Sequence, residues 1–243
     1  MNFPLLPIIL YGGMVMSTLA QNKLESDVLP TSAGDLTVTF IGHGTLMFGL
    51  GGKTIHVDPY GKLADYAALP KADAILITHD HADHLDPAAI AAIRTPATVV
   101  VMAPSCVGKL DGLVMTNGES RTVLGIPVEA VPAYNVVNKR DTGQPFHPKG
   151  AGNGYLLSFG DKRVYVAGDT EDTPEMRALR GIDVAFLPMN LPYTMTPEMV
   201  ATAAKAFKPT VLYPYHFGDT DPTRLTALLM DLPGIEVRIR RMR

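Results

Sequence analysis

The stretch Thr78-His79-Asp80-His81-Ala82-Asp83-His84, set directly after the apolar run Ala74-Ile75-Leu76-Ile77, constrains this chain more than any other. A short unbroken apolar run reads as a buried strand. It ends at Thr78, and three imidazoles and the Asp83 carboxylate follow within six residues. Imidazole nitrogen and carboxylate oxygen are the donors that a divalent first-row metal such as zinc prefers. His79 and His81 are two apart and can converge on one ion. Asp83 and His84 are adjacent and can aim at a second, the arrangement of a two-metal hydrolytic site. With 7 His in 243 residues, an H-x-H-x-D-H pattern arises by chance on the order of 4 times in ten thousand such chains. The competing reading is a charged, solvated turn rich in histidine.

The totals bound the rest. A chain of 243 residues can bury a sizeable core. Apolar residues at 47% and charged ones at 19% describe an ordinary globular protein. A net charge of −3 speaks against a nucleic-acid backbone as main partner. Cys106 stands alone, so an internal disulfide is excluded.

Residues 3–20 are almost wholly apolar or small, and Thr18-Leu19-Ala20 before Gln21 resembles a small-x-small cleavage site. No Lys or Arg precedes the apolar stretch, and Pro4 and Pro7 disfavour a helix at its start. Gly12 and Gly13 further interrupt a spanning helix, so no stable membrane anchor is expected. Residues 1–34 are therefore read as a candidate signal peptide followed by a polar linker over 21–34. The protein is expected in the periplasm or secreted, with a cytoplasmic protein translated from Met16 as the alternative. Residues 35–243 hold no linker or low-complexity tract and read as one domain.

Within it, residues 36–41 alternate in the manner of a strand, and 46–50 with 54–57 form a hairpin across Gly51-Gly52. A short helix is expected at 62–69. Asp86 and Pro87 begin another, and 98–102 is a buried strand. More strand lies in 123–131, broken by Gly125 and Pro127. Residues 134–154 are polar and rich in Gly, Pro, Lys and Asn, a long loop of the kind that carries function. Strands follow at 155–159, 163–167, 183–187 and 210–213. A helix capped by Thr196 runs to Phe207, and a helix near 222–230 with an edge strand at 235–239 closes the chain. Several strands end in a candidate ligand: Asp58, His79, Asp169 and His216. A rigid sheet offers such residues along one rim.

These residues resemble the metallo-β-lactamase superfamily, in the order of its motifs and over almost all of 36–243. The resemblance implies an α/β fold, a four-layer αββα sandwich with a dinuclear site at one edge of its sheets. Ile41-Gly42-His43-Gly44 followed by Val57-Asp58-Pro59 is similar to the branch containing L-ascorbate-6-phosphate lactonase and N-acylphosphatidylethanolamine phospholipase D. The implied metal ligands are His79, His81, Asp83, His84, His147, Asp169 and His216, with Asp169 bridging two divalent ions. Zinc is expected first, with manganese or iron as alternatives. Asp58 is implied as the acceptor that orients ligand histidines. The third histidine of the first ion is the open position: either His147, 22 residues before Asp169, folds in from the loop, or Asn135 or a water substitutes.

Asp83 is implied to hold the second ion and shuttle a proton. His43 either lines the pocket or occupies a turn, and His56 reads as structural. Asn190, Tyr193 and Tyr134 lie in loops expected to reach the rim, where Tyr193 offers a hydroxyl to a developing oxyanion. Lys139, Arg140 and Lys149 favour an anionic substrate or form a solvated face. The first expectation is a hydrolase using metal-activated water on a small ester, lactone or phosphate-containing molecule, with a homo-oligomer allowed. Its rivals are a phosphodiesterase or nuclease of the same fold, and a non-catalytic metal- or ligand-binding protein.

Overall fold

The computed structural model describes residues 24–243. Among these, fourteen strands form two seven-stranded sheets. The first contains β1 (Glu25–Thr31), β2 (Gly34–Gly42), β3 (Thr45–Leu50), β4 (Lys53–Val57), β5 (Ala74–Ile77), β6 (Val99–Met102) and β7 (Leu113–Val114), in that spatial order. The second contains β8 (Ser120–Val123), β9 (Ile126–Ala133), β10 (Gly152–Phe159), β11 (Lys162–Val166), β12 (Val184–Pro188), β13 (Val211–Tyr215) and β14 (Glu236–Val237). Each sheet begins with four antiparallel strands and continues in parallel.

Parallel neighbours need crossovers, and helices supply four of the six. α1 (Pro87–Ile93) joins β5 to β6, α2 (Pro174–Arg177) joins β11 to β12, α3 (Pro197–Phe207) joins β12 to β13, and α4 (Thr223–Leu229) joins β13 to β14. The sequence dictates which face each strand shows. Ala74 and Leu76 of β5 turn into the core between the sheets, while Ile75 and Ile77 pack with Ile90 and Ile93 of α1. Between the sheets Phe40 meets Phe186 at 6.4 Å and Phe48 meets Phe159 at 5.6 Å, ring centre to ring centre. On the far face of the second sheet, Tyr165 packs edge-on against Phe207 of α3 at 6.2 Å. The order is helix, sheet, sheet, helix: a four-layer αββα sandwich.

Four details depart from expectation. Residues 25–31, read as linker, are β1, paired with β2 along its whole length. The expected helix at 62–69 contracts to one 3-10 turn, Tyr66–Ala68, capped by Asp65. The 123–131 strand is a hairpin, because Leu124 and Gly125 both take positive φ (56° and 85°) and reverse the chain. α2, capped by Thr173 with Pro174 at its first position, lies outside the expected elements. The apolar N-terminal stretch and its candidate cleavage site lie outside the described residues. Among the described residues no helix is long and apolar enough to cross a membrane.

β1 is tied to the far end of the chain. Asp27 accepts hydrogen bonds from Arg240 at 2.8 Å and from the Tyr213 hydroxyl. Asp27→Ala should therefore cost about 1–3 kcal/mol in chemical denaturation, the scale of a charged, half-buried hydrogen-bonded partner. An unchanged midpoint would show that backbone pairing alone holds β1.

Candidate metal centre

The site is assembled from strand ends. β4 stops at Asp58, which is fully buried and takes a left-handed φ of 47°. Its carboxylate accepts from Thr78 N at 2.7 Å, from Thr78 Oγ1 at 2.6 Å and from His84 Nδ1 at 2.8 Å. Beyond β5 the backbone turns tightly, with His84 N and Leu85 N both donating to His81 O. That turn separates His79 and His81 from Asp83 and His84. β11 leads to Gly168-Asp169, and Gly168 has φ 65° with room for no side chain, since a Cβ would lie 2.8 Å from Asn153 O. β13 leads to His216, also left-handed at φ 46°, whose N–H donates to His43 O at 2.9 Å. His43 itself has φ 51°. Among the described residues, three of the five positive-φ residues other than glycine thus belong to the site, a concentration of strain found where function over-determines the backbone.

Hydrogen bonds fix the imidazoles. Thr78 Oγ1 gives its proton to Asp58, so it can only accept from His79 Nδ1, 3.0 Å away. His84 Nδ1 donates to Asp58, and His147 Nδ1 donates to Asn135 Oδ1 at 2.8 Å. In each ring Nδ1 carries a proton, which leaves Nε2 as the atom that offers a lone pair to a metal.

Those Nε2 atoms converge on Asp169. Its Oδ2 lies 3.4 Å from His147 Nε2, 3.5 Å from His216 Nε2 and 3.9 Å from His79 Nε2, and its Oδ1 lies 3.5 Å from His84 Nε2. These separations are too long for good hydrogen bonds. They suit ligand atoms across a tetrahedral ion, which at bonds of about 2.0–2.1 Å stand about 3.4 Å apart. The ligand atoms fall into two groups, His79, His81, His147 and Asp169 in one, and His43, Asp83, His84 and His216 in the other, each within 4.8 Å. Among the described residues, eight buried side-chain polar atoms lack a partner, and five of them are here: Nε2 of His79, His84, His147 and His216, and Oδ1 of Asp169. Unpaired buried polar atoms are costly, and a pair of divalent cations would satisfy all five. The donor set fits the group.

Electrostatics agree. Burial pushes His147 down to about 4 and His79 well below its ordinary value, keeping their lone pairs free. Burial would lower His84 too, but the Asp169 and Asp58 carboxylates raise it to about 9. Burial would raise Asp169, yet His216, His84, His79 and His147 hold it well below the carboxylate range. Asp83 behaves likewise: burial is outweighed by His216 and His43, the latter 3.0 Å away. The pocket stabilises positive charge.

Every residue expected to ligate is brought to this centre, His147 included. Asn135 takes a different part. Its Oδ1 receives both His147 N and Nδ1, and its Nδ2 donates to Glu171 Oε1 and Tyr193 O, so it supports His147 instead of replacing it. His43 lines the cleft and packs on His216, with ring centres 3.7 Å apart. Tyr193 and Asn190 also line that cleft, whose volume is ≈ 410 Å³. Tyr134 does not reach it, because its hydroxyl donates to Glu175 at 2.9 Å beside Lys149. Lys149 is likewise paired with Glu175, at 2.6 Å. His56 packs in the core against Pro70 O, with burial lowering it to about 4.

Sequence reasoning missed Glu171. Fully buried, it accepts from the backbone N–H groups of Val136, Val137 and Asn138 and anchors the loop that carries His147. Its one signal is nearness to Asp169, which says nothing of a loop 35 residues upstream.

Protonation gives a test. A cation needs neutral His84, whereas Asp169 and Asp58 keep that ring protonated up to about 9. Metal titrated at pH 7.5 in buffers of different ionisation enthalpy should release about one proton per chain. Apparent affinity should climb with pH, and the release should fade above about pH 9. Zero release at pH 7.5 contradicts this charge balance. Asp58→Asn, which weakens the acceptor on His84, should lower metal affinity about 10–100-fold.

Comparison with known proteins identifies the family and the fold. The β-lactamase superfamily domain matches residues 37–216. A UPF0173 metal-dependent hydrolase of Pelotomaculum thermopropionicum is 29% identical over 222 residues, covering 84% of this chain and 96% of the relative. A homologue of the same description from Symbiobacterium thermophilum is 31% identical over 223 residues, 84% and 92% of the two chains. Among solved structures, a Parabacteroides distasonis protein with the provisional description metal-dependent hydrolase superposes with a TM-score of 0.86 at 48% identity, covering 90% of this chain and 100% of that one. Igni18, a metallo hydrolase of Ignicoccus hospitalis, shares the fold with a TM-score of 0.71 at 24% identity, covering 85% and 95%. The chain therefore belongs to the β-lactamase superfamily, as a metal-dependent hydrolase of the metallo-β-lactamase fold.

Proposed function

We propose that this hydrolase works with two divalent ions, zinc in first place, and cleaves a small ester, lactone or phosphate-containing molecule. The observation that carries the reading is the Asp169 carboxylate set among four unpartnered imidazole nitrogens. When bound, the ions would supply a Lewis acid for the substrate oxygen and a water of lowered pKa. His79, His81 and His147 would hold one ion, and Asp83, His84 and His216 the other, with Asp169 reaching both.

The chain's own groups then divide the work. Asp83 faces the cleft and shares a hydrogen bond with His43 Nε2, so the pair can take up a proton from water and carry it toward the leaving oxygen. His43 lies at the mouth with its side chain 20% exposed, close enough to solvent to reload. Tyr193, whose side chain lines the same cleft, can donate its hydroxyl to oxygen charge developing in the transition state. Asp58, Thr78, Asn135 and Glu171 keep the imidazoles in register, a precision that hydrolysis at a metal site needs.

Asp169→Ala decides between this reading and a binding protein. Turnover of ester, lactone and phosphodiester panels should fall by roughly a thousandfold or more, and bound metal should drop below two ions per chain. Parent protein that holds two ions yet leaves every panel member intact would favour a non-catalytic metal carrier.

A further inference from the structure

Among the described residues, Arg140 is the one guanidinium lining the cleft. A tight turn places it: Arg140 N donates to Gln144 O at 2.8 Å, Gly143 N returns to Arg140 O at 2.8 Å, and Lys139 bridges Pro145. Its guanidinium lies 5.0 Å from the centre of the Phe146 ring, and that ring abuts Tyr193 edge-on at 5.1 Å. One Nη2 hydrogen bond, to Phe146 O, is long and weak at 3.5 Å. Packing on the ring orients the planar fork and leaves its other N–H groups free.

Lys139, in the same turn, does not line the cleft, and the basic groups of the flanking segments are paired. Lys149 meets Glu175, and Arg177 meets Asp172 in a two-pronged contact. Among the described residues no carboxylate lies within ion-pair distance of Arg140. The two carboxylates lining the cleft, Asp83 and Asp169, each sit inside a ligand group and face imidazoles. Arg140 is thus a positive group at the mouth of the reaction cleft without an internal counter-charge.

Exposed apolar side chains stand beside the lining residues in sequence, Leu191 next to Asn190, and Val136 and Val137 in the loop that carries Arg140 and His147. Val136 is 49% exposed, Val137 67% and Leu191 48%. The two loops that carry them are fastened together, Asn135 Nδ2 donating to Tyr193 O at 2.8 Å and Asn138 Nδ2 to Thr194 O at 3.2 Å. A bare guanidinium in such surroundings matches the flat oxyanion of a carboxylate or a face of a phosphate.

We propose that Arg140 selects substrates carrying an oxyanion group, carboxylate or phosphate, set apart from the bond that is hydrolysed and borne on a partly apolar organic frame. This rests on the hydrolase reading above. The group is a specificity determinant: it binds a part of the substrate that does not react, and Tyr193 and His43 remain for the reacting end.

The test uses the full chain loaded with metal, in the parent, Arg140→Gln and Arg140→Lys forms. Calorimetry with phenylphosphonate and benzoate, neither of which can be hydrolysed, reads binding directly. Loss of the guanidinium in Arg140→Gln should weaken Kd roughly tenfold for the matching anion. A loss with phenylphosphonate alone identifies a phosphate group, and a loss with benzoate alone a carboxylate. Arg140→Lys should recover part of the phosphonate affinity, since a point charge still serves a phosphate. Kinetics on 4-nitrophenyl butyrate and mono-4-nitrophenyl succinate compare a neutral ester with an anionic one. The ratio of kcat/KM, anionic over neutral, should fall roughly tenfold in Arg140→Gln, through KM. Unchanged Kd for both probes in Arg140→Gln overturns the assignment. Failure of the parent to cleave either ester would count against the hydrolase reading, while the calorimetry still decides the role of Arg140.

Discussion

One buried carboxylate and the imidazoles around it set the terms for everything else in this molecule. Asp169 stands 3.4–3.9 Å from four Nε2 atoms, and its neighbourhood holds five polar atoms without a partner. Left to itself such a cluster costs free energy at every atom, since desolvation is not offset by hydrogen bonding. A dense core must therefore force it together. The two sheets do this, their facing Phe, Tyr, Leu and Val side chains burying the strands up to the residue where each ligand emerges.

Rigidity at the rim comes from polar contacts that point away from the cluster. Asp58 binds Thr78 twice and His84 once, so a single carboxylate fixes both the exit of β5 and the ring of His84. Asp80 belongs to the same turn by sequence but pairs with Lys109 instead of the centre. On the other side Glu171 gathers three backbone N–H groups and the Asn135 amide, and Asn135 in turn fixes His147. Gly44 is needed for the same reason, because a Cβ there would come within 2.7 Å of His84 Cε1. The left-handed backbone at His43, Asp58 and His216 is the strain this arrangement stores.

Much of this is legible in the chain. His79, His81, Asp83 and His84 follow a clear apolar run, and Asp58, Asp169 and His216 each follow a strand with visible β-branched or aromatic patterning. Local signals suffice there because the ligand lies next to the element that positions it. His147 lacks that advantage: it comes from a long loop, and its place depends on Asn135 and Glu171, which meet it only in the folded state. β1 is illegible for a related reason. Its run Glu25-Ser26-Asp27-Val28-Leu29-Pro30-Thr31 is polar and holds a proline tolerated at a sheet edge, and its side-chain partner Arg240 lies 213 residues beyond Asp27.

The central claim is that two cations share Asp169, and anomalous diffraction at the zinc edge tests it most directly. Crystals grown with zinc should show two peaks about 3.5–4 Å apart, one beside His79, His81 and His147, the other beside Asp83, His84 and His216, with Asp169 between them. A single peak, or peaks away from Asp169, would contradict the account.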